Sequence, residues 1–216
     1  MNRRSWLAVA GVLRVAVAGQ WLGRTSGSTP QERSRRLPGD ELVKRPDVVT
    51  NHARSLHAAP EQVFPWLTQV GWHRAGWYTP RWVDVLLFPQ NWPSADRLDP
   101  ELVRNLEPGD VIPDGPVGTA QFVVTHVDAP HLLVLHSTSH VPASWKKRWG
   151  AEIDWVWTFV LDQRLDAGTR MQIRTQATTR PWWLKVAYVT VLVPADHVMA
   201  TGMLRGIDQR SSRSRP

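Results

Sequence analysis

The spacing of apolar positions changes along this chain, and the changes mark out its elements. VVTNHARSLHA, residues 48–58, reads as a first strand. EQVFPWLTQV, opened by Pro60 and Glu61 and closed by Gly71, has helical spacing, and Pro65 inside it predicts a kink or an early end. Thr79 as cap and Pro80 at the first position open a second helix, RWVDVLLF. Asp99-Pro100-Glu101 predicts another short helix, and EPGD at 107–110 a turn. The pattern then becomes strand-like over VIP (111–113), TAQFVVTHV (119–127), HLLVLHS (131–137), IDWVWTFVL (153–161) and TRMQIRTQA (169–177). From Pro181 onward Val186, Val189, Val193, His197, Ala200, Leu204 and Ile207 follow helical spacing, with Pro194 expected to bend the helix. Lys185 and Pro194 bound an apolar run of only eight residues there, too short to cross a bilayer.

This order predicts an α+β helix-grip fold: a curved antiparallel sheet wrapped around a long C-terminal helix, with short helices after the first strand. A sheet with one apolar face needs a cover, and a bent sheet gripping a single helix tends to leave a hollow. GWHRAGWYTPRW, residues 71–82, falls on the connection between the first two helices. Its Trp72, Trp77 and Trp82 are five residues apart, neither the strand nor the helix period, and we expect them at the mouth of an apolar pocket.

The two ends of the chain differ in character from its body. MNRRSWLAVAGVLRVAVAGQWLG, residues 1–23, reads as an apolar helix, either a membrane anchor or a signal-like segment with Ala16-Val17-Ala18 as an A-x-A site. Arg14 in mid-run fits an interfacial helix best, with Trp6 and Trp21 as belts. Residues 24–47, rich in Ser, Pro, Gly and charge, read as a linker, and 211–216 as a disordered basic tail. The domain is expected over 48–210.

Net charge, +7, does not indicate nucleic acid once it is divided along the chain. Residues 1–46 carry nine Lys/Arg against three Asp/Glu and residues 205–216 four against one, which leaves the body with 13 basic and 15 acidic residues. A nucleic-acid groove carries its charge on the folded face. With no cysteine there is no disulfide framework, thiolate zinc site or thiol nucleophile. No cofactor or metal is expected: His136-x-x-x-His140 lies at a strand end without a third partner.

LPGDELV (37–43), APEQVFPWLTQVGWHRAGWY (59–78), SADRLDPEL (94–102), EPGDVIP (107–113), WVWTFVL (155–161), TRMQIRTQA and HVMATGMLRGI (197–207) together resemble the START/Bet v1-like superfamily, also described as polyketide cyclase/dehydrase-like. Within it the chain looks like a bacterial subgroup with an N-terminal apolar helix. Tyr78-Thr79 stands where the subgroup usually has Tyr-Ser, and Thr201 where an acid often stands. The resemblance implies the fold and a hydrophobic-ligand cavity; it says almost nothing about chemistry, because the superfamily spans carriers, receptors and cyclases.

Candidate ligand-binding residues are Trp72, Arg74, Trp77 and Tyr78 on the connection, Trp155 and Trp157 on the inward strand face, and His197 and Met203 on the last helix. Arg74 suits a ligand carboxylate or a cation-π contact. His136, His140, His197, Tyr78 and Asp154 are the available acid/base groups, while Arg170 and Arg174, sharing a strand face with Gln172, are expected to face water. The spacing in GMLRG suggests close approach of the helix to the sheet. We therefore expect a binding protein for a lipid, polyketide or isoprenoid, membrane-associated through its N-terminal helix, with a cyclase, aromatase or dehydratase as the alternative and a cytoplasmic location as the other option.

Overall fold

A computed structural model describes residues 19–87 and 89–213. Residues 1–18, which hold most of the expected N-terminal apolar helix, lie outside the described residues, as do Phe88 and residues 214–216. Residues 19–25 are helical (α1). There follow α2 (Pro30–Ser34), β1 (Val48–Leu56), α3 (Pro60–Thr68), α4 (Arg81–Leu87), β2 (Val111–Pro113), β3 (Gln121–Asp128), β4 (Leu132–Ser137), α5 (Ala143–Trp149), β5 (Glu152–Gln163), β6 (Thr169–Arg180) and α6 (Trp182–Ala187). A π-helical turn, Tyr188–Leu192, joins α6 to α7 (Val193–Arg213).

The strands form one antiparallel sheet in the order β1-β6-β5-β4-β3-β2, with a bulge between Val124 and His126. The architecture is the expected helix-grip α+β fold. Alternation along β5 assigns its two faces. Ile153, Trp155, Trp157, Phe159 and Leu161 turn inward, where α7 packs over β1, and α3 lies against both α7 and β5. Val156 and Thr158 turn outward.

Where the structure differs from expectation, the cause is physical. Residues 99–103 make a hydrogen-bonded turn on the Asp99 carbonyl but no helix. Helix α5, ASWKKRW, was not anticipated because it buries no residue and so has no apolar period. Pro194 lacks an N–H, and the preceding turn widens so that Val193 N–H donates to the Tyr188 carbonyl, five residues back. The glycines of GMLRG let α7 approach the 78–80 segment rather than the sheet: a Cβ on Gly206 would lie 2.0 Å from the Tyr78 carbonyl oxygen, and one on Gly202 2.6 Å from Pro80 Cδ. Residues 211–213, expected in a disordered tail, continue α7, and Ser211 is buried.

The segment expected to be a linker is a covering layer. Thr29 caps α2 in a capping box with Glu32, and the chain from there to residue 47 runs over the outward face of the sheet. Arg174, expected to face water, is buried beneath it. Its guanidinium donates to the carbonyls of Glu32, Arg33 and Arg35, to Asp40 Oδ2 at 2.8 Å and to Asn51 Oδ1 at 2.8 Å. Arg170 likewise reaches both Glu32 carboxylate oxygens, at 2.6 and 2.9 Å. Gly39, at φ +95°, lets the strap lie flat, since a Cβ there would sit 2.7 Å from Val134 Cγ1. Val43 then closes on Val134 and Val156.

Candidate functional site

The connection between α3 and α4 is a compact knot. Gly71 and Gly76 exchange main-chain hydrogen bonds at 3.2 Å, and both have positive φ, as has Tyr78. Arg74 turns back on α3: Nε donates to the Val70 carbonyl and Nη2 to those of Thr68 and Leu102, supplying donors to carbonyls at the helix end. Burial, and then the neighbouring Arg104 cation, lower its pKa from the ordinary arginine value. The Tyr78 hydroxyl donates to the Trp66 carbonyl at 2.9 Å and accepts from Gln69 Nε2 at 2.8 Å. Burial drives its pKa above the usual phenol range.

The knot forms one wall of a cleft of about 590 Å³ that is open to solvent. Trp72, His73, Arg74 and Gln90 face Pro113 and the β2–β3 loop across it. Trp72, His73 and Trp92 stack in series, with ring centroids 5.3 and 4.9 Å apart. One main-chain bond, Trp72 N–H to the Pro113 carbonyl at 2.7 Å, joins the two rims.

Behind this rim lies the aromatic interior. Trp77 packs on Trp157 (5.2 Å) and Phe122 (6.1 Å), and Trp155 on Phe122 (5.4 Å). Met203 belongs to the same buried cluster. The indole nitrogens of Trp66, Trp77, Trp155 and Trp157 are buried and have no acceptor. None of the described clefts is lined by Trp77, Tyr78, Trp155, Trp157, His197 or Met203. The sequence-predicted site residues therefore separate: Trp72 and Arg74 stand at the open cleft, Trp77, Tyr78, Trp155, Trp157 and Met203 pack in the interior, and His197 lies apart from both beside His52.

Two polar clusters join residues that no local spacing links. His140 is joined at both ring nitrogens, Nε2 to Asp114 Oδ2 at 2.8 Å and Nδ1 to Ser137 Oγ at 2.7 Å, and its ring lies 4.7 Å from Trp155. Asp114 leaves the end of β2 between Pro113 and Gly115, which line the cleft. Deeper in, Asp196 of α7 accepts from Thr50 and Thr175 and contacts His52 Nε2 at 3.2 Å. His197 sits with its ring 5.6 Å from His52, and burial, then the His52 charge, lower its pKa. His136 and Asp154 pair at 2.6 Å on the outward side, so His136 and His140 do not converge. Strand alternation carried the signal for that separation, because Ser137 is the inward residue of the pair His136-Ser137. Among the described residues no three His, Asp or Glu side chains are grouped to hold a metal.

No family model and no curated protein matches the chain. Solved structures align at low identity. A protein from Rhodobacter sphaeroides matches with TM-score 0.47 at 17% identity over 78% of this chain and 95% of its own. One from Mesorhizobium loti gives 0.44 at 15%, over 78% and 100%. Norcoclaurine synthase from Thalictrum flavum, solved with dopamine and hydroxybenzaldehyde, gives 0.43 at 12%, over 78% and 88%.

Proposed function

We propose that the protein binds a hydrophobic small molecule of lipid, polyketide or isoprenoid type, which enters at the rim between the 71–78 connection and the β2–β3 loop. The observation that carries this reading is the open cleft of about 590 Å³ walled by Trp72, His73 and Arg74, with the aromatic layer of Trp77, Trp155 and Trp157 packed behind it. The rim cleft has a volume in the range of small-ligand sites, and apolar burial at roughly 25 cal/mol per Å² would supply most of the affinity. Placement in the START/Bet v1-like superfamily belongs to the same proposal; the motifs quoted above and the helix-grip order support it.

A second reading, proton-transfer catalysis of cyclase or dehydratase type, draws on the Asp114–His140–Ser137 relay beside Trp155. It is the weaker of the two. Both His140 nitrogens are engaged, and Ser137 is only 3% exposed and lines none of the described clefts. Native mass spectrometry of full-length protein purified from its own host tests the first reading. The expected result is an organic adduct that leaves on mild activation and is lost in Trp72→Ala and His73→Ala, which line the cleft. Adduct-free protein whose tryptophan emission also ignores added fatty acid and isoprenoid alcohol would overturn it. If an adduct is converted to a product by wild type and not by His140→Gln, the second reading holds.

A further inference from the structure

We infer a bilayer-docking surface formed by α5 and the outboard part of the C-terminal helix, separate from the expected N-terminal attachment and independent of the ligand reading. Both elements sit at the end of the sheet where β5 begins and β6 finishes. Helix α5 is exposed along its whole length, yet it carries Trp145 and Trp149. These two indoles meet Trp183 in edge-to-face contacts at 5.6 to 5.8 Å, a three-membered aromatic cluster largely outside the core. Trp182, 76% exposed, stands beside it, and Val186, Val191 and Leu192 continue the apolar surface along α6 and the π-helical turn. Exposed apolar residues grouped in this way mark an interaction surface.

Charge decides which partner the surface fits. Lys146, Lys147 and Arg148 follow Trp145 on α5, which has no acidic residue, and Arg148 lies over the Trp149 ring at 5.5 Å. Arg180 and Lys185 flank the aromatic cluster from β6 and α6, and Lys185 pairs with Asp47. The nearby acids Glu152 and Asp154 share a cleft with Lys146 and Arg180, and Asp154 is paired with His136, which leaves Lys147 and Arg148 as the cations farthest from an acid. Indoles beside lysine and arginine are the composition of an anionic membrane interface, where the ring sits at headgroup depth and the cations meet phosphate. Helix α1 touches the π-helical turn, where Gln20 Nε2 donates to the Val189 carbonyl at 3.1 Å, and its exposed Trp21 lies under the Arg33 guanidinium. The apolar half of the C-terminal helix is therefore read as lying on a bilayer, although the 32-residue stretch Trp182–Arg213 is long and apolar enough to span one. From Val193 onward many of its residues are buried in the domain.

The chain has no cysteine, so single substitutions label it uniquely. Full-length Lys147→Cys and Val186→Cys proteins carrying an environment-sensitive NBD dye would be mixed with phosphatidylcholine vesicles with and without phosphatidylglycerol. Leu165→Cys, on the β5–β6 turn roughly 35 Å away at 3.3 Å per strand residue, serves as control. Blue-shifted emission and quenching by brominated lipid at 147 and 186, absent at 165 and dependent on phosphatidylglycerol, is the expected result. Lys146→Glu/Lys147→Glu/Arg148→Glu should weaken the response at 186 by about tenfold or more at low salt, and because α5 buries nothing the fold is kept. Unchanged spectra, an equal response to neutral vesicles, or a shift that grows with protein concentration without vesicles, which would mean a second copy covers the surface, would each overturn the inference.

Discussion

The two faces of the central sheet are covered by opposite chemistry. Inward, α3 and α7 bury an aromatic layer that is dense in apolar contact and leaves four indole N–H groups unmatched. Outward, the strap from residue 29 to 47 lays a charged and polar layer whose central cation, Arg174, is bonded to three carbonyls, a carboxylate and an amide oxygen. Under the strap the Arg174 guanidinium is matched by fixed protein partners, while Arg35 Nε and Asp40 Oδ1 of the strap itself are buried without one. The interior differs in that its unpaired groups are indole N–H donors set among apolar rings. The strap is held by ion pairs and main-chain bonds, and the concave face by aromatic packing.

The largest effect that would break this contrast is Trp157→Ala, expected to cost about 3–5 kcal/mol in urea unfolding, since a buried indole at the centre of the aromatic layer leaves a cavity. Arg174→Met is expected to cost about 3 kcal/mol, because Asp40 and the strap carbonyls lose their buried partner, and limited proteolysis should then cut within residues 30–45. Thr29→Ala removes one half of the capping box and should cost about 1 kcal/mol. Trp157→Phe should stay within about 1 kcal/mol of wild type, because losing an unmatched N–H offsets lost ring contact; a much larger loss would mean that the N–H has a protein partner after all.

The smallest effect concerns pH. Burial tends to raise the Glu32 pKa, but the Arg170 hydrogen bond and the Thr29 N–H outweigh it and hold the carboxyl below its ordinary 4.5. A depressed carboxylate pKa stabilises the fold above the unfolded-state value, and that contribution is lost as pH falls through the folded-state value. Glu32→Gln should therefore flatten the acid limb of stability below about pH 4.5 and leave the neutral region, apart from the lost ion pair, with the same slope.

Much of the fold was legible because period carries burial. The alternation of IDWVWTFVL and the helical spacing from Val193 to Ile207 report one-sided contact with a core, and both elements formed where that pattern lay, while Val186, on the same spacing, is exposed. The strap was not legible for the same reason in reverse. Its attachment runs through main-chain carbonyls and ion pairs, which leave no hydrophobic period, so Arg170 and Arg174 looked like a solvated face. Helix α5 was invisible on the same grounds. At the candidate site, the Trp72 and Arg74 neighbourhood could be read from a loop rich in aromatics, but the Asp114–His140 and Asp196–His52 pairings join residues 26 and 144 positions apart, and no local pattern announces them.

The strap and α1 also fix where the chain begins its path over the domain. Arg170 holds the Gly27 carbonyl at 2.7 Å, and α1 is pinned to Val189 just before it. The described chain from residue 19 onward is thus bolted to the domain at both a strand and the last helix, so a pull on α1 is borne jointly by β6 and the π-helical turn.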